Sequence, residues 1–379
     1  MTNKYAANTT GTVLILDGDR ERAASSARTL AAGGGLVLIG RDAVLGALVA
    51  RRVPLLSMVT EAQIAPFSFD GLDAVAAVRS CSPECRVVVV GDLVPPPVAE
   101  EALRRGAEVV LLRPFEDETF RRTCGAGCAE EGAVRCIPTI EELVESHDLL
   151  PAFQPIVDLA GDDRRAGFES LARFDQTMLP FCDPTFLFEY ARLCGRTVDL
   201  DLACLRRTLR AAGDLARRGK IFINIHPRAL ADGPRLARTL VHAAAEGEVP
   251  LDRLVLEITE QEKLEVSSST LPALEELRAT GVELALDDVG SSYSHLDLID
   301  RIRPSYLKIS HEFGTGFESD AARCKIIRNI QSLARDFQCE IILEGVETEA
   351  TSRAAVEIGA RYAQGFYYAR PGQAAAWVE

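Results

Sequence analysis

Along the last two-thirds of this sequence, short apolar runs keep ending in a carboxylate, an amide or a lysine. Glu169 ends GFES, Asn224 ends FIN, Glu257 and Glu260 fall in LVLEITE, and Asp287 and Asp288 end LALDD. Lys308 lies in YLKIS, Glu344 in IILEG and Gln364 in YAQG. A single polar residue after an apolar run is an ordinary surface cap. A whole series is different if the runs are strands of one closed sheet, because the side chains then converge on one rim. Five or six carboxylates gathered there would repel one another and raise each other's pKa unless cations intervene. Hard oxygen ligands select Mg²⁺ or Mn²⁺. The chain has five histidines, and only His226 lies near these positions, which argues against zinc.

The elements that must position these residues follow from the pattern. From Pro151 onward, AFQPIVDL, AGFESLARF, KIFINIHP, RLVLEITE, VELALDDVG, SYLKIS, CEIILEGVE and RYAQGFYYA read as strands. Helical stretches such as PALEELRAT and CKIIRNIQSLARDF separate them. Eight strands in a span of this size predict a (β/α)8 barrel of the TIM type, whose active site lies where the strands end. Residues 12–115 show the same alternation in shorter form: TVLILD, LVLIG, VPLLSMVT, CRVVVVGD and AEVVLLRPF between helical patterns. That predicts a doubly wound, flavodoxin-like α/β domain. The expected organisation is a first domain over 1–120, a linker over 121–138 rich in Gly, Cys and small residues, and the barrel over 139–379.

The barrel segment resembles the EAL-type cyclic-di-GMP phosphodiesterases. FQPIVDL at 153–159 is similar to that family's opening strand, and GFESLAR at 167–173 stands where the name-giving Glu-Ala-Leu occurs, with Ser170 in place of Ala. INIHP, LEITE, DDVGSSYSHL, LKIS, EGVETEA and QGFYYARP follow in the family's order. One such motif is weak; eight in order are specific.

The resemblance implies a mechanism. Glu169, Asn224, Glu257 and Asp287 would hold one of two Mg²⁺ or Mn²⁺ ions. Asp287 would bridge to the second, which Asp288 also ligates, and Glu344 would contact a water on the metals. Two such ions about 4 Å apart make a water acidic and clamp the attacking and leaving oxygens. Lys308 and Gln364 would orient that water and stabilise charge on the phosphorus oxygens. The reaction would open cyclic-di-GMP to linear pGpG. Gln154, Leu171 and Arg173 match positions that contact the dinucleotide, and Glu260 matches the glutamate that holds the loop after the fifth strand.

Departures from the family pattern concentrate after Asp288. The usual Asp-Asp-Phe-Gly-(Thr or Ala)-Gly-Tyr-Ser-Ser here reads Asp-Asp-Val289-Gly290-Ser291-Ser292-Tyr293-Ser294-His295. In the family this loop supports the second metal and the dimer contact, so the alteration leaves room for weak or regulated activity. Ser170 is expected to add one hydroxyl beside the metals.

Residues 12–115 resemble, more faintly, the receiver domain of response regulators. LILDGD matches the acidic end of the first strand with Gly18 replacing one acid, and LLRPF matches the Lys-Pro corner with Arg113 in place of Lys. The third strand ends without an aspartate, Glu61 being the nearest acid, so phosphoacceptor chemistry is not expected. The expected role is dimerisation or the binding of a signalling partner.

Acids outnumber bases 56 to 42, a formal charge of −14, which argues against broad binding to DNA or anionic membrane. The opening MTNKYAANTTGTVLIL lacks a secretion signal's basic start and continuous apolar stretch. Runs such as Val87–Val90 are too short to cross a bilayer, so a cytoplasmic protein without membrane insertion is expected. Ten cysteines then default to free thiols, with the C-x3-C pairs 81/85 and 124/128 a weak metal pattern. The expected function is an active phosphodiesterase. The alternative is a weakly active or inactive cyclic-di-GMP receptor acting through a partner, and a scaffold without ligand stands last.

Overall fold

The computed structural model describes residues 11–64, 71–125, 132–146, 149–161, 165–174, 183–258, 270–290 and 295–378. The chain divides into two compact units, residues 1–148 with 174–196, and residues 149–173 with 197–379.

The first unit is built on a parallel sheet of β1 (Thr12–Leu16), β2 (Leu36–Gly40), β3 (Leu55–Glu61), β4 (Arg86–Gly91), β5 (Val109–Leu112) and β6 (Ala133–Cys136). Their order is β5-β4-β3-β1-β2-β6, the doubly wound arrangement expected. Val13, Ile15, Val37, Val59, Val88 and Val90 are buried on one face against Ala23, Ala27 and Leu30 of the helix Arg20–Ala31. That helix starts at Asp19, whose carboxylate accepts from the backbone N–H groups of Glu21 and Arg22. One expectation changes. The stretch 121–138 is not simply a linker: it holds the end of helix Asp117–Cys124 and then β6, which extends the sheet beside β2. AVRC is short and half polar, and as an edge strand it is only partly buried, so no apolar run marks it.

At the ends of β1, β3 and β4 stand Asp17, Glu61 and Asp92, and two guanidiniums lie among them. Arg113 Nη1 pairs with Glu61 Oε1 at 2.5 Å and lies 3.8 Å from Asp92, while Arg113 Nη2 lies 3.5 Å from Asp17. Arg22 lies 3.0 Å from Asp17 and 3.8 Å from Glu61. The acidic corner is thus neutralised from within, by arginine.

The second unit is a closed barrel ordered β10-β11-β12-β13-β14-β7-β8-β9. Its strands are β7 (Leu149–Asp158), β8 (Arg165–Phe174), β9 (Lys220–Ile225), β10 (Leu254–Ile258), β11 (Glu283–Val289), β12 (Tyr306–Ile309), β13 (Glu340–Leu343) and β14 (Tyr362–Ala363). Seven run parallel, but β7 pairs antiparallel with β14. A uniform (β/α)8 order is therefore modified at the first strand. The physical reason is the connection: only residues 159–164 separate β7 from β8, and a parallel return needs a crossover of a dozen residues or more.

The strands read as continuous apolar runs because both faces are buried. Ile221, Ile223, Leu254, Leu256, Leu284, Leu286, Leu307, Ile341 and Leu343 point outward beneath the helices. Ile156, Phe222, Val255, Ala285 and Ile342 fill the interior, with Tyr306 and Tyr362 against them. The helix Ala321–Asp336 is capped by Asp320 and turns Ile327, Gln331 and Ala334 inward. Among the described residues no helix is long and apolar enough to cross a membrane.

Candidate metal centre

Side chains two apart along a strand share a face. The interior layer of the barrel therefore fixes what lies above it. Two residues beyond Phe222, Val255, Ala285, Tyr306, Ile342 and Tyr362 come Asn224, Glu257, Asp287, Lys308, Glu344 and Gln364. On β7, which runs the other way, the residue two before Ile156 is Gln154. On β8 the corresponding pair is Gly167 and Glu169. A Cβ at Gly167 would stand 2.6 Å from the Lys220 carbonyl and 2.8 Å from the Phe222 ring, so glycine is what lets β8 close against β9 beneath Glu169. The expected site residues missed this one, although its place two before Glu169 was readable.

The polar layer is contiguous. Lys308 Nζ, fully buried, lies 2.8 Å from Glu344 Oε1, 3.1 Å from Glu257, 3.3 Å from Glu169 Oε2 and 3.5 Å from Asp287 Oδ1. Asn224 Nδ2 donates to Glu169 Oε1 at 3.1 Å. Gln364 Nε2 donates to Glu169 Oε2 at 2.6 Å and to Gln154 Oε1 at 3.0 Å, and Gln154 donates onward to the Ala369 carbonyl.

Asp288 joins this layer by an irregularity. Consecutive residues of a strand ordinarily face opposite sides, yet oxygens of Asp287, Asp288 and Glu344 lie within 4.8 Å of one another. The pairing of β11 with β12 slips between Leu286 and Val289, so that one extra residue is accommodated. Asp288 takes φ 56°, and its N–H donates to Asp287 Oδ1 at 2.9 Å. Val289 then returns to the outer layer, buried and paired with Ile309.

The protonation of the cluster follows from its crowding. Burial would raise Glu169, but Lys308, Gln364 and Asn224 together hold it below the usual carboxylate range. Burial pushes Glu257 well up, against Lys308, and Glu169, Asp287 and Glu344 push it further. Burial also raises Asp287, and it raises Glu344 to about 8. Burial would lower Lys308, but Asp287, Glu169, Glu257 and Glu344 keep it firmly protonated. Carboxyls held above their ordinary range, with Glu344 at about 8, are short of positive charge.

The residues fit divalent cations. Fully ionised, Glu169, Glu257, Asp287, Asp288 and Glu344 with Lys308 carry four negative charges, which two divalent ions would neutralise. Gln364 Oε1 is buried and accepts no hydrogen bond among the described residues, and Glu257 Oε1 meets only the Lys308 ammonium, at 3.1 Å, so acceptor capacity is left over. The donors are hard oxygens. Among the described residues, Asp287, Asp288 and Glu344 are the one cluster of three or more His, Cys, Asp or Glu placed to share an ion; Glu169 and Glu257 lie next to it around Lys308, and no cysteine belongs to it.

Some expected residues stand apart. Leu171 and Arg173 follow Glu169 on the same face of β8 toward the rim. Arg173 is exposed, with Nη1 on the Ala172 carbonyl, and no described contact joins it to the carboxylates. Ser170, expected beside the metals, faces the other way: the pleat turns it outward, where its Oγ lies 2.6 Å from Thr208 Oγ1 of helix Thr197–Ala211. Glu260 and the loop residues 291–294 lie outside the described residues, as do Cys128 and Cys182. Sequence reasoning also passed over Asp201, which is buried and accepts the His226 N–H at 2.9 Å, anchoring the chain just beyond Asn224.

Known proteins carry the same barrel. The family profile described as "EAL domain" matches residues 138–371. The cyclic di-GMP phosphodiesterase RocR of Pseudomonas aeruginosa is 30% identical over 243 residues, 62% of this chain and 61% of that protein. The bifunctional diguanylate cyclase/cyclic di-GMP phosphodiesterase MucR of the same organism is 28% identical over 257 residues, 66% of this chain and 37% of its own length. The match thus spans less than two-thirds of these relatives. Among solved structures, the PaMucR phosphodiesterase in complex with c-di-GMP superposes with a TM-score of 0.55 at 26% identity, covering 63% of this chain and 97% of that one. The manganese/cy-diGMP complex of Klebsiella pneumoniae BlrP1 superposes at 0.52 and 25% identity, covering 61% and 57%.

Proposed function

The chain belongs to the EAL family, and from that premise we propose that it hydrolyses cyclic-di-GMP to linear pGpG, using two Mg²⁺ or Mn²⁺ ions. The observation that carries the reading is the ring of carboxylates around Lys308, in which Glu169, Glu257, Asp287 and Glu344 all stand within 3.5 Å of one ammonium.

In this reading Glu169, Asn224, Glu257 and Asp287 hold one ion, and Asp287 and Asp288 the other. When bound, such ions acidify a water and neutralise charge on a phosphodiester. The remaining steps belong to the chain. Lys308, kept charged by its neighbours, holds positive charge where negative charge develops on the phosphorus oxygens. Glu344 would contact the attacking water and hold its proton. Gln364, tied to Gln154 and Glu169, keeps Glu169 turned toward Asn224. Leu171 and Arg173, further up β8, would receive the dinucleotide, the Arg173 fork suiting phosphate or guanine. Glu260 would hold the loop after the fifth barrel strand.

The N-terminal unit extends the same proposal. Its strand order and the acids at its strand ends support a receiver-like fold; the expected boundary at residue 138 shifts in the compact units to residue 148, with 174–196 joining the first. Arg113 and Arg22 fill the corner that a phosphoacceptor and its metal would need, so the unit serves dimerisation or partner binding and modulates the barrel without phosphorylation.

The test uses the full chain with Mg²⁺ or Mn²⁺ and cyclic-di-GMP, following binding and pGpG together. Turnover that Glu169→Ala abolishes, in a variant that still melts cooperatively, is the expected result. Micromolar binding without any pGpG would replace the enzyme by a receptor.

A further inference from the structure

On the outside of the barrel, helices Thr197–Ala211 and Gly233–Glu246 pack side by side. A groove of about 340 Å³ lies along them, lined by Arg206, Arg235, Arg238, Thr239, His242 and Glu246. Arg235, Arg238 and His242 recur at helical spacing and form one ridge. Arg206 and Arg210 come from the facing helix.

The charge here runs against that of the whole chain, which is −14. Arg210 pairs with Glu246 through Nε and Nη2 at 3.0 and 2.9 Å, and Arg235 pairs with Asp199. Arg206 is different. It is half-buried, and no carboxylate among the described residues forms an ion pair with it. Burial, and then Arg235, Arg210 and Arg207, push it below the ordinary guanidinium value, and Asp199 opposes them only weakly. Arg238 donates Nε to the Pro234 carbonyl, and among the described residues nothing takes its terminal nitrogens. A guanidinium half out of water among its own kind costs free energy that no described contact returns. An anion bridging these forks would return it.

We propose that this groove is a second ligand site that takes a small phosphate-bearing anion, held by the guanidiniums of Arg206, Arg235 and Arg238. Phosphate oxygens suit converging guanidinium forks, which bind them bidentately. At about 340 Å³ the groove reaches the lower end of small-molecule pocket volumes, and it is open to solvent on one side. It lies on the helical layer, built from residues other than those of the carboxylate rim.

Inorganic phosphate groups and nucleotide phosphates share this chemistry, so the test has two arms. The full chain, stripped with EDTA, is titrated calorimetrically with inorganic pyrophosphate and separately with ATP. Without divalent ions the carboxylate rim repels both. One saturable site with Kd at or below about 1 mM is expected. Arg206→Gln and Arg235→Gln should each weaken it about tenfold or more in proteins that still melt cooperatively, Arg206→Gln no lower than the wild type, and Glu169→Ala should leave it unchanged. Equal affinity for the two probes would mean that phosphate alone is read; tighter ATP would mean that the nucleoside contributes. Absence of saturation, or binding indifferent to Arg206→Gln, overturns the proposal. Because Glu169→Ala removes the proposed turnover but not this binding, failure of either reading can be told from failure of the other.

Discussion

Lys308 Nζ stands 2.8 Å from Glu344 Oε1, the shortest of four contacts that the buried ammonium makes with carboxylates. Lysine is thus the counter-ion of the cluster as well as a proposed catalytic group. Lys308→Met should lower unfolding free energy in EDTA by about 3 kcal/mol, because it strands buried acids without their partner. Saturating Mn²⁺ should narrow the gap, and in the wild type it should add about 2.7 kcal/mol at a hundred times Kd. Chemical denaturation with and without metal checks both. A Lys308→Met protein as stable as wild type in EDTA would show that the ring is not held together by charge.

Asp288 adopts φ 56°, a conformation that asparagine tolerates and alanine resists. Asp288→Asn should keep stability within about 0.5 kcal/mol, whereas Asp288→Ala should cost about 1 kcal/mol. Both remove a ligand charge and should lower pGpG formation about a hundredfold or more. Equal stability of the two variants would contradict the strained backbone.

Gly167 leaves no room for a side chain between the Lys220 carbonyl and the Phe222 ring. Gly167→Ala should destabilise by about 1–3 kcal/mol. The displacement is passed to Glu169, two residues on, so activity should fall about tenfold or more at temperatures where the variant is fully folded. Thermal melts paired with turnover separate the two effects.

Burial raises the Asp201 carboxyl from 3.8 to about 7, with the His226 N–H opposing. The folded chain therefore keeps a proton that the unfolded chain has released. This group's contribution to stability falls as pH rises from about 4 to about 7, and levels off above. Asp201→Asn retains an acceptor for the His226 N–H and cannot titrate. Urea unfolding across that range should show a shallower decline in the variant, by a few kcal/mol at most. Parallel curves would mean that Asp201 is ionised throughout.

In the N-terminal unit, Arg113 neutralises Glu61 and Asp17, both buried. Arg113→Met should destabilise the unit by about 1–3 kcal/mol. The wild type should take up no phosphoryl group from acetyl phosphate, as read by intact mass. A phosphorylated species would restore receiver chemistry to this corner.

Most of the barrel was legible because each strand announces itself twice, as an apolar run and as the polar residue that ends it. Glu169, Asn224, Glu257, Asp287, Lys308, Glu344 and Gln364 could all be placed on one rim from that pattern. The reversal of β7 was not legible from periodicity, since alternation is blind to direction; the short 159–164 connection was its only sign. Ser170 was misread because proximity in sequence was taken for proximity in space, and one step along a pleat is a step to the opposite face. β6 escaped because an edge strand of four residues needs no apolar run. The basic groove left only scattered arginines, which become neighbours when two helices pack.

A regular barrel strand offers its mouth one side chain per layer, so eight strands supply at most eight groups to a common level. That is enough to enclose one ion, with little left for a neighbour. The extra residue between Leu286 and Val289 makes β11 contribute twice, through Asp287 and Asp288. The capacity to seat a pair of ions is thereby lodged in a single defect of the hydrogen-bond ladder. Deleting that one residue would restore ideal geometry and, in the same stroke, take one of the two carboxylates out of the mouth, and with it the second ion of the proposed pair.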